Sequence, residues 1–234
     1  MRTAVAFLTR LPVPVPAEPS LDRAAAFFPL VGLLVGGIAA GVRALGDQIL
    51  PPLPATLLAV AAALLVTGAL HEDGLADVAD GLGAHVSRER RLEILRDPRV
   101  GTFGALALIV AVGLVITTVG ALDTEDAARA LIAAHVLSRW AMLPVSRMLG
   151  PAREGGAGAL LRVKTPALIV ATVLAAAIAV AVGAAAAILA AAAASAVAAA
   201  VLQRGLGGVT GDGYGATAKL AEVTVCTTLA ALWT

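Results

Sequence analysis

Charge, aromatic rings and cysteine are all scarce in this chain, and each shortage narrows what it can be. Charged residues make up 14% of the 234 positions, against about a quarter in soluble domains. Hydrophobic residues make up 59%, and the mean hydropathy is +0.92. A soluble globular domain is excluded, and the composition is that of an all-α, polytopic membrane protein. With aromatics at 3%, the apolar content is largely Ala, Leu, Val and Gly. Such small side chains let helices approach closely where lipid supplies no hydrophobic drive between them. The lone Cys226 excludes an internal disulfide and reads as a small buried hydrophobe. Net charge is only +1, and no basic, aromatic-studded pattern occurs, so nucleic acid is not an expected partner.

What is present is a series of uncharged or nearly uncharged runs. They cover Ala24–Val42, Gln48–Leu70, Val100–Leu122, Ala130–Met148 (broken by Arg139), Pro166–Leu202, and Gly213–Trp233 (containing Lys219 and Glu222). The fifth run has 37 residues, about 55 Å as one helix against a hydrocarbon core of about 30 Å, so it must fold as two spans. Gly183 is the natural turn. Seven spans in a single domain over 1–234 are expected. Residues 1–23 precede them, with Arg10 interrupting a short apolar part and Pro12, Pro14 and Pro16 barring a regular helix. That segment is expected to stay uncleaved and lie at the membrane surface.

Basic residues give an independent check. With a cytoplasmic N-terminus, one side receives Arg2, Arg10, Arg23, Arg88, Arg90, Arg91, Arg96, Arg99, Arg147, Arg153, Arg162, Lys164 and Arg204, and the other only Arg43 and Arg129. This bias follows the positive-inside rule. It places residues 71–103 and the glycine-rich loop 205–215 on one cytoplasmic face.

The chain is organised around His71-Glu-Asp-Gly-Leu-Ala-Asp-Val-Ala-Asp-Gly81. If a helix continues through this stretch or restarts in it, Asp73, Asp77 and Asp80 fall at i, i+4 and i+7 on one face. Like charges on one stripe repel unless a cation lies among them. Hard oxygen donors without a His/Cys cluster point to Mg²⁺, or Mn²⁺, rather than zinc. The bland alternative is a solvated helix end with acids in its first turn, but charge abutting a membrane-length apolar run tends to be functional.

Two further elements carry chemistry. In Arg96-Asp-Pro-Arg-Val-Gly-Thr-Phe-Gly104, Arg96 and Arg99 can clamp phosphate bidentately beside Gly101 and Thr102. Upstream, Arg88, Arg90 and Arg91 are expected to touch anionic lipid headgroups. In Gly205-Leu-Gly-Gly-Val-Thr-Gly-Asp-Gly-Tyr-Gly215, the backbone around Thr210 and Gly211 can turn N–H groups to an anion, and Asp212 can add a metal ligand. Lys219 and Glu222 are expected to face an internal polar cavity. His71 and His85 are candidates for proton transfer, and His135 is expected to be structural.

These motifs, with Thr9-Arg10-Leu-Pro12 and Phe28-Pro29-Leu-Val-Gly32, closely resemble the cobalamin synthase family, the adenosylcobinamide-GDP ribazoletransferases, in motif order over nearly the whole chain. The resemblance implies a bacterial inner-membrane, Mg²⁺-dependent enzyme with its active site facing the cytoplasm. It would join adenosylcobinamide-GDP to the 3′-hydroxyl of α-ribazole, or of its 5′-phosphate, with release of GMP. Carried onto this chain, Asp73, Asp77, Asp80 and Asp212 would hold the metal. Arg10, Arg96, Arg99, Gly101, Thr102, Thr210, Gly211 and Lys219 would bind substrate, and Asp77, Asp80, Asp97 or Glu222 would take the hydroxyl proton.

Two rivals stand beside this reading. Asp77-Val-Ala-Asp80-Gly-Leu-Gly-Ala84 is similar to the opening of the CDP-alcohol phosphotransferase motif, but His85 replaces its arginine and its second half is missing. An ion-coupled transporter would carry carboxylates near span centres and an internal repeat, whereas no repeat occurs and the acidic cluster falls at a span end.

Overall fold

The computed structural model describes residues 1–14, 17–153 and 161–234. Pro16, expected in the interfacial segment, lies outside them. Among the described residues the chain is helical, with a single isolated bridge between Pro151 and Val209. A short α1 (Arg2–Leu8) is followed by α2 (Leu21–Ala24), which runs through a 3₁₀ turn into α3 (Phe28–Gly46). Then come α4 (Pro52–Thr67), α5 (Leu70–Gly83), α6 (Arg88–Ile94), α7 (Thr102–Gly120) and α8 (Thr124–Met148). The chain closes with α9 (Thr165–Ala181), α10 (Ala187–Leu206) and α11 (Gly211–Trp233).

All six apolar runs are largely helical, and the 37-residue run does break at Gly183, whose φ is +75°. Three stretches are long and apolar enough to cross a membrane: Leu21–Gly46, Thr102–Gly120 and Ala187–Leu206. The bent pair α4 and α5 would make a fourth. Length and apolarity by themselves identify three or four spans among the described residues and do not confirm the count of seven. The helices that fall short do so for different reasons. α4 and α9 have 16 and 17 residues, below the roughly 20 that a span needs. α8 and α11 are long enough but carry Arg139, Lys219 and Glu222 in their buried faces.

The interior is built from small residues. Gly32 and Gly36 set α3 against the backbone of α8: a Cβ on Gly36 would lie 2.8 Å from the Ile132 Cα. Large apolar side chains such as Leu57, Leu65, Ile109, Val110 and Leu189 point outward, as lipid-facing surfaces require. At the end remote from the acidic motif, the fully buried Arg43 pairs with Asp47 and donates to Thr56 Oγ1 (2.8 Å) and the Leu122 carbonyl (3.2 Å), tying α3, α4 and the α7–α8 turn together.

One break positions the site. α4 stops at Gly68 (φ +65°), a left-handed C-cap. Ala69 follows at φ +55°, uncommon for a residue with a Cβ. α5 then leaves at 89° to α4. The N-terminal segment braces this corner: the Arg10 N–H donates to the Val66 carbonyl at 2.7 Å, and the Arg10 side chain lies over Gly68.

Candidate active site

The helix does restart within the acidic motif, and α5 presents Asp73, Asp77 and Asp80 along its length. Thr210 caps α11 by accepting from the Gly213 N–H at 3.0 Å, which sets Asp212 in the first turn. α5 and α11 then meet through glycine. A Cβ on Gly74 would sit 2.6 Å from the Asp212 carbonyl oxygen, and one on Gly215 would sit 3.3 Å from the Gly74 Cα. The two acidic elements, more than 130 residues apart in sequence, are thus in backbone contact. Asp73, Asp212 and Gly211 line a cavity of about 160 Å³ together with Phe7, His71 and Tyr214.

The electrostatics register this crowding. Burial first, then the charges of Asp73, Asp212 and Asp80, push the Asp77 carboxyl up to about 6. Asp212 is also raised, chiefly by burial, with Arg153 pulling the other way and Asp73 adding to the rise. Among the described residues no group of three His, Cys or carboxylate side chains is close enough together to hold a metal ion. The donor set nevertheless fits a hard divalent cation: all oxygen, mutually repelling and partly buried.

Asp80 is engaged differently from the ligand expectation. Its Oδ2 accepts from the Gly101 N–H at 2.7 Å and its Oδ1 from the Gly104 N–H at 2.8 Å, so it caps the start of α7. The same contacts bring Asp80, Asp97, Arg99, Gly101 and Thr102 around one open groove of about 520 Å³. Within it, Asp97 and Arg99 form a bidentate pair, with Nε–Oδ1 at 2.9 Å and Nη2–Oδ2 at 2.6 Å. Hydrogen bonds from Arg99 hold the Asp97 carboxyl down at about 2, which disfavours it as a proton acceptor. Arg96 is exposed.

Lys219 and Glu222 do face an internal polar space, as expected. The Lys219 Nζ, 1% exposed, lies 2.7 Å from Glu222 and 2.9 Å from Glu72. His135 and Arg139 stand 3.7 and 3.9 Å from Glu222. These groups and His71 surround a space of about 10 Å³, roughly one water in size. Lys219 and Glu222 are held in an interior charge network. Sequence spacing exposed only the i, i+3 pair, because Glu72 and Arg139 arrive from other helices. His71 borders both this network and the acidic cavity, whereas His85 lies exposed beyond α5.

Two arginines of α6, expected at lipid headgroups, also bond to the protein's own backbone. Arg88 donates to the Leu206 and Ala152 carbonyls, each at 2.7 Å, and Arg91 to the Gly205 carbonyl at 3.1 Å. They satisfy the orphan carbonyls at the C-terminus of α10, where a cation is favoured. Arg90 pairs with Glu93 on the surface.

Comparison with known proteins bears on this site directly. The family model described as cobalamin-5-phosphate synthase matches residues 1–230. The chain belongs to that family. An adenosylcobinamide-GDP ribazoletransferase of Azorhizobium caulinodans is 40% identical, over 94% of this chain and 90% of the relative. One of Rhizobium meliloti is 39% identical, over 97% and 94%. No solved structure matches the chain. The family match runs through all the acidic, arginine and glycine elements just described.

Proposed function

We propose that the chain is an adenosylcobinamide-GDP ribazoletransferase of the bacterial inner membrane, working on its cytoplasmic face in the last steps of vitamin B12 assembly. The observation that carries this reading is the backbone contact of α5 with α11, which puts Asp212 beside Asp73 and Asp77 in a family member. Asp73, Asp77 and Asp212 would hold Mg²⁺, or Mn²⁺. Bound there, the cation would neutralise the diphosphate of the substrate and its leaving phosphate. The chain's own part is to place and orient. The open groove beside Asp80, with the Gly101 and Thr102 backbone and Arg99 on its rim, admits a polar substrate from water. The acceptor's 3′-hydroxyl attacks the phosphorus on the aminopropanol arm, and the bond to GMP breaks. The hydroxyl proton passes to a carboxylate of α5, since Asp97 is held by Arg99 and Glu222 by Lys219.

Orientation rests on the basic residues, thirteen against two in favour of the site's face. The test is incubation of purified membranes with adenosylcobinamide-GDP, α-ribazole and Mg²⁺. GMP and a cobalamin product should appear together and stop with chelator. Release of GMP without the cobalamin, or neither product, refutes the reading.

A further inference from the structure

A second cleft, of about 390 Å³, opens on the far side of Tyr214. Tyr214 lines both this cleft and the Asp73–Asp212 cavity, so its ring is a shared wall. The charge of the cleft is opposite to that of the cavity. Its lining includes Arg147, Arg162 and Lys164, together with Ser146, and among the described residues contains no carboxylate. Arg147 and Arg162 are exposed, and no anionic partner is found for either among the described residues. Lys164 reaches Asp22 at 3.1 Å from a side chain that is 77% exposed.

This cleft is fixed to the acidic site by hydrogen bonds. The Tyr214 hydroxyl donates to the Leu161 carbonyl at 3.2 Å, beside Arg162. The Val209 N–H donates to the Gly150 carbonyl, and the Ala152 N–H to the Val209 carbonyl, both at 2.9 Å. The 150–152 and Leu161 parts of the cleft are therefore tied to Tyr214 and to the turn before Asp212, and two sites of opposite charge share Tyr214 as a wall.

Chemically, the acidic side suits a cation and the diphosphate being cleaved. It repels a second, free phosphate. A phosphate monoester carries about −1.5 to −2 charges at neutral pH, which two guanidiniums and an ammonium can bind by charge-assisted hydrogen bonds. The volume lies in the range of small-ligand pockets. We infer that the cleft of Arg147, Arg162 and Lys164 binds a phosphate monoester, that of a 5′-phosphorylated acceptor nucleoside whose sugar reaches past Tyr214 to the acidic cavity. The inference rests on the transferase reading above, and the anionic headgroup of a lipid offers the same chemistry.

Wild-type protein and the Arg147→Gln/Arg162→Gln variant, both in zwitterionic phosphatidylcholine nanodiscs, are titrated calorimetrically with ribose 5-phosphate and with ribose. The wild type should bind only the phosphorylated sugar, and the variant should bind it roughly ten- to a hundredfold more weakly, the loss expected for hydrogen bonds between charged groups. In turnover, the KM for α-ribazole 5′-phosphate should rise in the variant by a larger factor than the KM for α-ribazole. Equal ribose 5-phosphate binding by both proteins, or equal KM effects on both acceptors, overturns the assignment. If neither protein turns over but the variant still loses ribose 5-phosphate, the transferase reading falls and the phosphate site stands. Phosphatidylglycerol added to the nanodiscs tests the other source. Wild-type binding that survives it supports a soluble ligand, and competitive loss identifies a headgroup site and overturns the proposal.

Discussion

Gly74 on α5 and Asp212 on α11 are held so closely that a single added methyl group would lie 2.6 Å from the Asp212 carbonyl oxygen. No other residue type gives this contact without moving a helix. The meeting of the two acidic elements therefore depends on the absence of one Cβ.

Gly74→Ala should push α11 away from α5, costing roughly 1–3 kcal/mol, as overpacking does. It should also reduce turnover. Gly113→Ala on α7 is the control, since nothing lies within 4 Å of its added Cβ. That variant should gain roughly 0.5–1 kcal/mol from the better helix former. Denaturation midpoints of the two proteins in detergent check both. A neutral Gly74→Ala would mean that the helix contact is looser than described.

Asp77→Asn removes one of several repelling charges. Because the Asp77 carboxyl is raised to about 6 from an ordinary 3.8, the folded chain without metal holds its proton more tightly than the unfolded chain does. This group therefore lowers stability as pH rises from about 4 through about 6. The variant should melt higher than wild type at pH 7 in chelator, yet lose at least roughly a hundredfold in turnover with Mg²⁺. In wild type, protons should displace the divalent cation as pH falls through about 6. Thermal shift with and without Mg²⁺ at pH 5 and pH 7.5 reads all of this. A variant no more stable than wild type in chelator would contradict the repulsion.

Asp80 separates a cap from a ligand. Asp80→Ala should free the Gly101 and Gly104 N–H groups and cost about 1–2 kcal/mol, seen as faster hydrogen exchange at the start of α7. Asp80→Asn keeps one acceptor oxygen and should recover part of that protection. If both variants leave exchange at 101–104 as in wild type, the capping role is wrong.

Lys219→Met would leave Glu72 and Glu222 without their shared cation in a water-poor interior, costing roughly 3–5 kcal/mol. Lys219→Arg, which keeps the charge, should retain most of the stability. Equal melting of the Met variant and wild type would show that the network is not needed for folding.

Much of this was legible in the sequence. Helical runs, the turn at Gly183 and a helix through His71–Gly81 follow from local periodicity and glycine placement, which need no partner. The acidic, arginine and glycine motifs were visible for the same reason, since each is continuous in the chain. What failed were assignments of partnership. Arg88 and Arg91 looked like lipid contacts until the carbonyls of Gly205 and Leu206 were found beside them. Lys219 was legible as facing an internal polar space, but its second partner, Glu72, arrives from α5 and could not be read from spacing.

By itself, then, the sequence determined a helical membrane chain and which residues carry charge, because apolar content, helical period and glycine are properties of neighbours along the chain. Only the tertiary structure decided which charges are spent on one another and which are left over. Asp80 goes to the α7 backbone, Asp97 to Arg99 and Glu222 to Lys219, while the charge of Asp73 raises the proton affinity of Asp77 and of Asp212. The physical reason is that Coulomb and hydrogen-bond energies depend on separation in space, which falls steeply within a few ångströms and is fixed here by helices crossing at glycine.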